Sequence, residues 1–307
     1  MNNILQIIGS GALALIPALV WGVLFYIKRP EARKLSVLTF IAGALSVMPI
    51  LLYKLSWEYI PWINAFRIAD LYKTDYIIFP NLIVLPLSII ITFMLVGVIE
   101  EVMKYFAVKL VNEGQLLTID DAIEFFIIAA LGFAFTENIL YFYNIWVIEG
   151  AEHLFIPFLF RSGFSTFAHV MFSGILGYYY GIAHFAKPIL QEEIRENRKH
   201  WTILLHKLLS VRKSKLFHQE KIAEGLLLAI GLHATFNIFL ELNAIFLTVP
   251  FLIGGYTTLI YLFAKKNSHK KYGKLLEGYK NHPVNPHKDY FKCLVPFLKK
   301  RHFHDND

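Results

Sequence analysis

The sequence predicts an all-α fold, a polytopic transmembrane helical bundle of about seven spans. Three observations carry that expectation. Hydrophobic residues make up 56% of the 307-residue chain and charged residues only 17%, whereas soluble domains hold roughly 45–50% apolar and about 25% charged residues. The apolar excess lies in contiguous runs, each close to the ~20 residues needed to cross about 30 Å of hydrocarbon. The basic residues, finally, gather at alternate ends of those runs.

Taken in order, the first run covers residues 4–27. The chain opens MNNILQ, without a basic leading region, and the run outlasts a signal peptide's apolar core, so a retained helix is expected and not a cleaved signal. A second run covers 35–53. The segment 54–80, rich in Trp and Tyr, suits the outer membrane interface. Runs at 82–111, 122–148 and 157–185 follow, with Pro86 and Pro157 as candidate interruptions. Residues 188–219 contain ILQEEIRENRKHWTILLHKLL, an amphipathic pattern expected as a cytoplasmic surface helix. The last two runs are 222–242 and 244–264. No internal repeat is evident. One membrane domain, 1–264, with a basic cytoplasmic tail, 265–307, is the economical division.

Seven crossings would put segments 28–34, 109–121, 186–221 and 265–307 on one side, and these hold 25 of the 30 Lys and Arg residues. The opposite side keeps Lys54, Arg67 and Lys73, while Lys104 and Arg161 fall within spans. That asymmetry predicts an amino terminus outside and a carboxyl terminus in the cytoplasm; the expected location is a bacterial-type cytoplasmic membrane. The net charge of +7 therefore reflects topology; the expected partner is the lipid bilayer and not nucleic acid. The tail reads as a solvated end, with contact to anionic lipid as the alternative. Cys293, the single cysteine, rules out an intramolecular disulfide and a Cys-based zinc cluster.

Four spans carry side chains that hydrocarbon rejects. The third holds Glu100, Glu101 and Lys104 in VIEEVMK; the fourth holds Glu137 and Asn138 in FAFTENILYF; the fifth holds His169 and Ser173 in FAHVMFSG; the sixth holds His233 and Asn237 in GLHATFN. A charge at the bilayer centre costs at least about 2.5–3.5 kcal/mol, so a use is expected. At 1.5 Å per residue, Glu100, Glu137, His169 and His233 lie roughly 17–24 Å from the cytoplasmic ends of their spans. Four antiparallel helices can thus bring them to one level. Glu100 with Lys104, His169 with Ser173, and His233 with Asn237 are each four apart and share a helix face. Asn138 projects about 100° from Glu137 and need not share its role. Arg161, about one turn inside the outer edge, reads as a snorkelling or pairing residue.

These residue types suit hydrolysis. Desolvation among apolar walls makes a carboxylate a stronger proton acceptor for a bound water. A histidine can share that water or pass a proton, and His233 with Asn237 can face the oxyanion that develops on a carbonyl. The zinc-protease signature HExxH is absent. Asp120 and Asp121 sit at a span's edge, unsuited to an intramembrane aspartyl protease. Ser165 with His169, in SGFSTFAH, lacks the usual serine-protease flanks.

The ordered series EExxK at Glu100–Lys104, FxxxEN at Phe133–Asn138, His169 with Ser173, and HxxxN at His233–Asn237 resembles the PrsW family of intramembrane proteases. That family is related to the CAAX prenyl endopeptidases and the CPBP (Abi) proteins. The resemblance covers about residues 98–240. It implies a membrane-embedded glutamic-type peptidase acting on a membrane-anchored protein, with anti-sigma-factor-like signalling cleavage as the associated role. It implies that Glu100 activates water and that His233 with Asn237 stabilises the oxyanion. The CAAX branch has FxxxH where this chain has FxxxE, which leaves the second partner of Glu100 open. The candidate catalytic residues are therefore Glu100, Glu101, Glu137, His169, His233 and Asn237, supported by Lys104, Asn138 and Ser173, with no cofactor.

The nearest rival is a zinc-dependent protease using Glu100, Glu137, His169 and His233 as ligands, since imidazole and carboxylate are ordinary zinc ligands. A proton-coupled transporter or a non-enzymatic membrane scaffold are the rivals from other classes.

Overall fold

In the computed structural model the described residues are 2–28, 33–79, 83–112, 114–195 and 212–268. Helix α1 (Asn2–Lys28) is followed by α2 (Arg33–Leu45) and α3 (Val47–Ser56), which together make one span broken at Ser46. A short 3-10 turn (Pro61–Ile63) and α4 (Arg67–Asp70) lead into an antiparallel hairpin of β1 (Tyr76–Phe79) and β2 (Ile83–Pro86). Next come α5 (Leu87–Asn112) and α6 (Ile119–Ile148). A 3-10 turn (Ala151–His153), α7 (Phe155–Phe160), a π-helical turn (Arg161–Ser165) and α8 (Thr166–His184) form the next crossing. Then follow α9 (Ala186–Arg195), α10 (Lys213–Glu241) and α11 (Ile245–Ser268).

Six segments among the described residues are long and apolar enough to cross a membrane: Asn3–Val23, Arg33–Ser56, Ile119–Ile148, Ala151–His184, Lys213–Glu241 and Ile245–Leu262. The chain is a helical integral membrane protein. The seventh expected span corresponds to α5, whose 26 residues reach about 39 Å but carry Glu100, Glu101 and Lys104 in their middle. Outward-facing Leu52, Leu110 and Leu227 are 65%, 85% and 69% exposed, as lipid-facing positions are.

The third run differs from expectation at its start. Residues 83–86 are strand, and the helix begins only at Leu87. Pro86 lacks an N–H and pushes Leu85 toward extended backbone. Tyr76 pairs with Pro86 in the register, and the Leu87 N–H closes onto the Asp75 carbonyl at 2.8 Å. Of the amphipathic segment expected over 188–219, α9 supplies the beginning; residues 196–211 lie outside the described residues, as do 269–307 of the tail. The chain separates into units 1–263 and 264–307.

Helix α6 is the centre of the bundle: Ala122, Phe126, Ala129 and Ala130 are fully buried. Its start is a capping box, in which Asp121 N–H donates to Thr118 Oγ1 at 3.2 Å and Thr118 N–H donates to Asp121 Oδ2 at 2.8 Å. Asp121 thus serves the helix terminus, as its position at the span's edge implied. Helix α2 crosses α6 at two glycines: a Cβ on Gly43 would overlap the Ala129 carbonyl, and one on Gly132 would overlap the Phe40 carbonyl. Small residues at such crossings let backbones approach where no hydrophobic drive exists between helices in lipid. Gly177 and Gly181 of α8 do the same against Ile119–Ile123. A buried Thr39–Asn112 hydrogen bond, 3.0 Å, ties α2 to α5. With α6 packed on α8, and α5 and α8 on α10, the middles of four polar-bearing helices face one another.

Candidate active site

The opening of α5 is apolar apart from Ser88 and Thr92, and its helical phase then turns two adjacent glutamates in different directions. Glu101 and Lys104, three apart, are both fully buried and joined at 2.7 Å. The same Glu101 oxygen, Oε1, accepts from Nδ1 of His233 at 2.8 Å. The Lys104 ammonium also lies over the Phe133 ring, 4.5 Å from its centroid. Glu100 points elsewhere. Its Oε2 lies 3.6 Å from His233 Nε2, too far for a hydrogen bond, and is buried without a hydrogen-bond partner.

From α6 and α8 come Glu137 and His169, joined Oε2 to Nε2 at 2.9 Å. Lys104 Nζ is 3.1 Å from the other ring nitrogen of His169, Nδ1. An ammonium only donates, so Nδ1 accepts and Nε2 carries the proton given to Glu137. His233 has the opposite arrangement: Nδ1–H donates to Glu101, and Nε2 is left facing Glu100. The two rings meet edge to face, centroids 5.3 Å apart, and Phe172 stacks on His233 at 5.4 Å. The second oxygen of Glu137 meets the Arg161 guanidinium at 2.9 Å.

Charges count out unevenly. Glu101 is matched by Lys104 and Glu137 by Arg161, leaving Glu100 uncompensated. A buried carboxylate without a partner is costly, so this oxygen marks where a proton, a cation or a polarised water is held. Glu100 and Glu137 keep 15% and 32% of their side-chain surface accessible, so both border the opening of the site. Glu101 and Lys104 close its floor.

Single atoms of Glu100, His169 and His233 all lie within 4.8 Å of one another. Two imidazoles and a carboxylate are a regular donor set for a divalent metal such as zinc, and the orphaned Glu100 oxygen suits it. His233, oriented by Glu101 through its far nitrogen, has the carboxylate–histidine arrangement common behind metal ligands. His169 must release either Lys104 or Glu137 to take part. Glu137, expected among the ligands, lies outside this group, its oxygens engaged by Arg161 and His169.

The structure therefore draws together Glu100, Glu101, Lys104, Glu137, His169 and His233. Asn237 lies one turn beyond His233 on α10, half-buried. Ser173, one turn along α8, is fully buried with its hydroxyl unpartnered. Asn138 is engaged elsewhere: its carboxamide accepts from Arg161 Nε and donates to Thr166 Oγ1 at 3.3 Å. Ser165 is no partner of His169, whose two nitrogens are taken by Lys104 and Glu137. Sequence reasoning placed Arg161 as a snorkelling or pairing residue; it is a pairing residue, and it pairs with the site. No sequence signal carries this, because the π turn that aims Arg161 at the site leaves no trace in apolar periodicity. The family model described as PrsW family intramembrane metalloprotease matches residues 31–264. No curated protein and no solved structure matches the chain.

Proposed function

Because the chain belongs to the PrsW family of intramembrane proteases, and so is a membrane-embedded protease, we propose that it cuts a membrane-anchored protein with water activated at Glu100. The observation that carries this reading is the buried, unpartnered Oε2 of Glu100 facing Nε2 of His233. A water seated there donates one proton to Glu100 as its oxygen attacks the scissile carbonyl. Glu100 then returns that proton to the leaving amide nitrogen, so the carboxylate ends as it began. Glu101 holds the His233 ring in orientation. With Nδ1–H committed to Glu101, neutral His233 offers only a lone pair at Nε2, so it steadies the water and donates to an oxyanion only when protonated. In this reading Asn237, one turn away, supplies the N–H donor to the oxyanion. Lys104 and Phe133 wall the floor and exclude bulk water. The resemblance noted above supports a signalling substrate of the anti-sigma-factor kind.

The second reading has its own observation, the grouping of Glu100, His169 and His233. These three residues would hold a divalent metal, which polarises a carbonyl and lowers the proton affinity of bound water. In that case Glu101 and Glu137 remain the groups that orient the two imidazoles.

The test is cleavage of a single-span substrate in detergent by wild type and Glu100→Gln, with folding checked by melting and metal content measured on both. Turnover by Glu100→Gln is expected to fall about 10²–10⁴-fold, the usual contribution of a general base, with stability unchanged or raised. A folded Glu100→Gln protein that cleaves at the wild-type rate refutes the proposal. One bound divalent ion per chain, lost with His233→Ala, together with chelator-sensitive turnover, selects the metal reading.

A further inference from the structure

Arg161 enters the site by an irregular route. It opens the π-helical turn Arg161–Ser165 between α7 and α8, and π turns inside α-helices recur at functional sites. In an unbroken α-helix Arg161 and His169, eight residues apart, would be about 80° out of line. A π turn absorbs one extra residue, about 100° of rotation, which brings the two within roughly 20° of one face. Both then reach Glu137 from α6: His169 takes Oε2 at 2.9 Å and Arg161 takes Oε1 at 2.9 Å.

The guanidinium is itself fixed from several sides. Its Nε donates to Asn138 Oδ1, and its plane lies over the Tyr141 ring, 4.5 Å from the centroid. Its backbone carbonyl accepts from Thr166 Oγ1 at 2.9 Å, and the same hydroxyl accepts from Asn138 Nδ2 at 3.3 Å. Arg161 is 13% exposed, against 32% for Glu137. Without this clamp the Glu137 carboxylate, on the open side of the site, would be free to turn away from His169. The guanidinium pairs with Glu137 as an ion pair while its Nε is held by Asn138, and its fixed plane positions the charge better than an ammonium on a flexible stem.

We propose that Arg161 is a positioning residue of the protease: it holds the Glu137 carboxylate so that the His169 ring keeps one orientation in the site. Proton transfer is not part of its role; it acts through Glu137. The proposal rests on the active-site reading above.

The experiment is a double-mutant cycle on kcat and KM for the full chain in detergent, using Arg161→Gln, Glu137→Gln and both together. Arg161→Gln is expected to lower kcat about 10–100-fold, the range for groups that orient a ligand or catalytic histidine, with KM within roughly threefold. Placed on Glu137→Gln, the same change should lower kcat less than about threefold further, because its route of action is already gone. Arg161→Lys should recover part of the loss. Selectively labelled His169 supplies a readout independent of turnover: its Nε2–H proton should resonate downfield in wild type, as the bond to the Glu137 carboxylate requires, and move upfield in Arg161→Gln, while Nδ1 stays an acceptor of Lys104. Should Arg161→Gln fail to fold, Arg161→Lys carries the same cycle and the same shifts. Equal factors in both backgrounds, an unchanged kcat, or an unchanged Nε2–H resonance overturns the role. Glu100→Gln inactive with Arg161→Gln at full rate overturns Arg161 alone; Glu100→Gln at full rate overturns the active-site reading beneath it.

Discussion

Replacing Glu101 by Gln is the sharpest probe of how the site is held. The amide keeps the shape and an acceptor oxygen but removes the charge that Lys104 faces at 2.7 Å, where both side chains are fully buried. Breaking a buried pair by removing one partner costs about 3–5 kcal/mol, because the remaining charge is stranded. At about 2–4 °C per kcal/mol, the value for chains of 150–250 residues, the fall in melting temperature is bounded at roughly 6–20 °C. The double substitution Glu101→Gln with Lys104→Met removes the stranded ammonium, and replacing a whole buried pair is often neutral or better. Melting in detergent should therefore show a large drop for the single variant and recovery of most of it for the double. Activity should behave differently. Both variants lose the charged acceptor of His233 Nδ1–H, so turnover should fall about 10–100-fold in each, less than for Glu100→Gln. Should the single variant melt with wild type, or the double prove no more stable than the single, the buried-pair account of Glu101 is wrong.

Two further outcomes are expected. Gly132→Ala should destabilise the bundle by about 1–3 kcal/mol, since its methyl would meet the Phe40 carbonyl of α2; Gly231→Ala, with nothing near the added atom, should melt with wild type, and equal melting of the two would refute the close α2–α6 crossing. A topology reporter fused after Lys265 should signal cytoplasm and one within 54–80 the outside, as the basic-residue asymmetry demands; reversed signals refute that orientation.

How far the sequence reaches can be seen residue by residue. Apolar run length by itself determined the helical membrane class and the approximate place of six of the seven expected spans, because the bilayer's thickness imposes one length on all of them. The polar residues within those runs were also legible, since hydrocarbon makes each of them anomalous. Equal depth in the spans is the reason to expect one shared level, and single atoms of Glu100, His169 and His233 lie within 4.8 Å of one another; the expected four-apart pairing of Glu100 with Lys104 gives way to Glu101 with Lys104. Other features required the fold. The strands Tyr76–Phe79 and Ile83–Pro86 read as apolar sequence, and only the pairing between them separates strand from helix. Which glutamate takes which partner is a matter of helical phase and of a contact 132 residues away: Glu101 with His233, Glu100 left open. Arg161 depended on the π turn, a rotation of about 100° that composition does not record. The sequence alone determined what must be buried, because the cost of exposing a group to lipid is local. Only the tertiary structure decided which buried charge meets which, because in a low-dielectric interior that choice depends on distances between helices far apart in the chain.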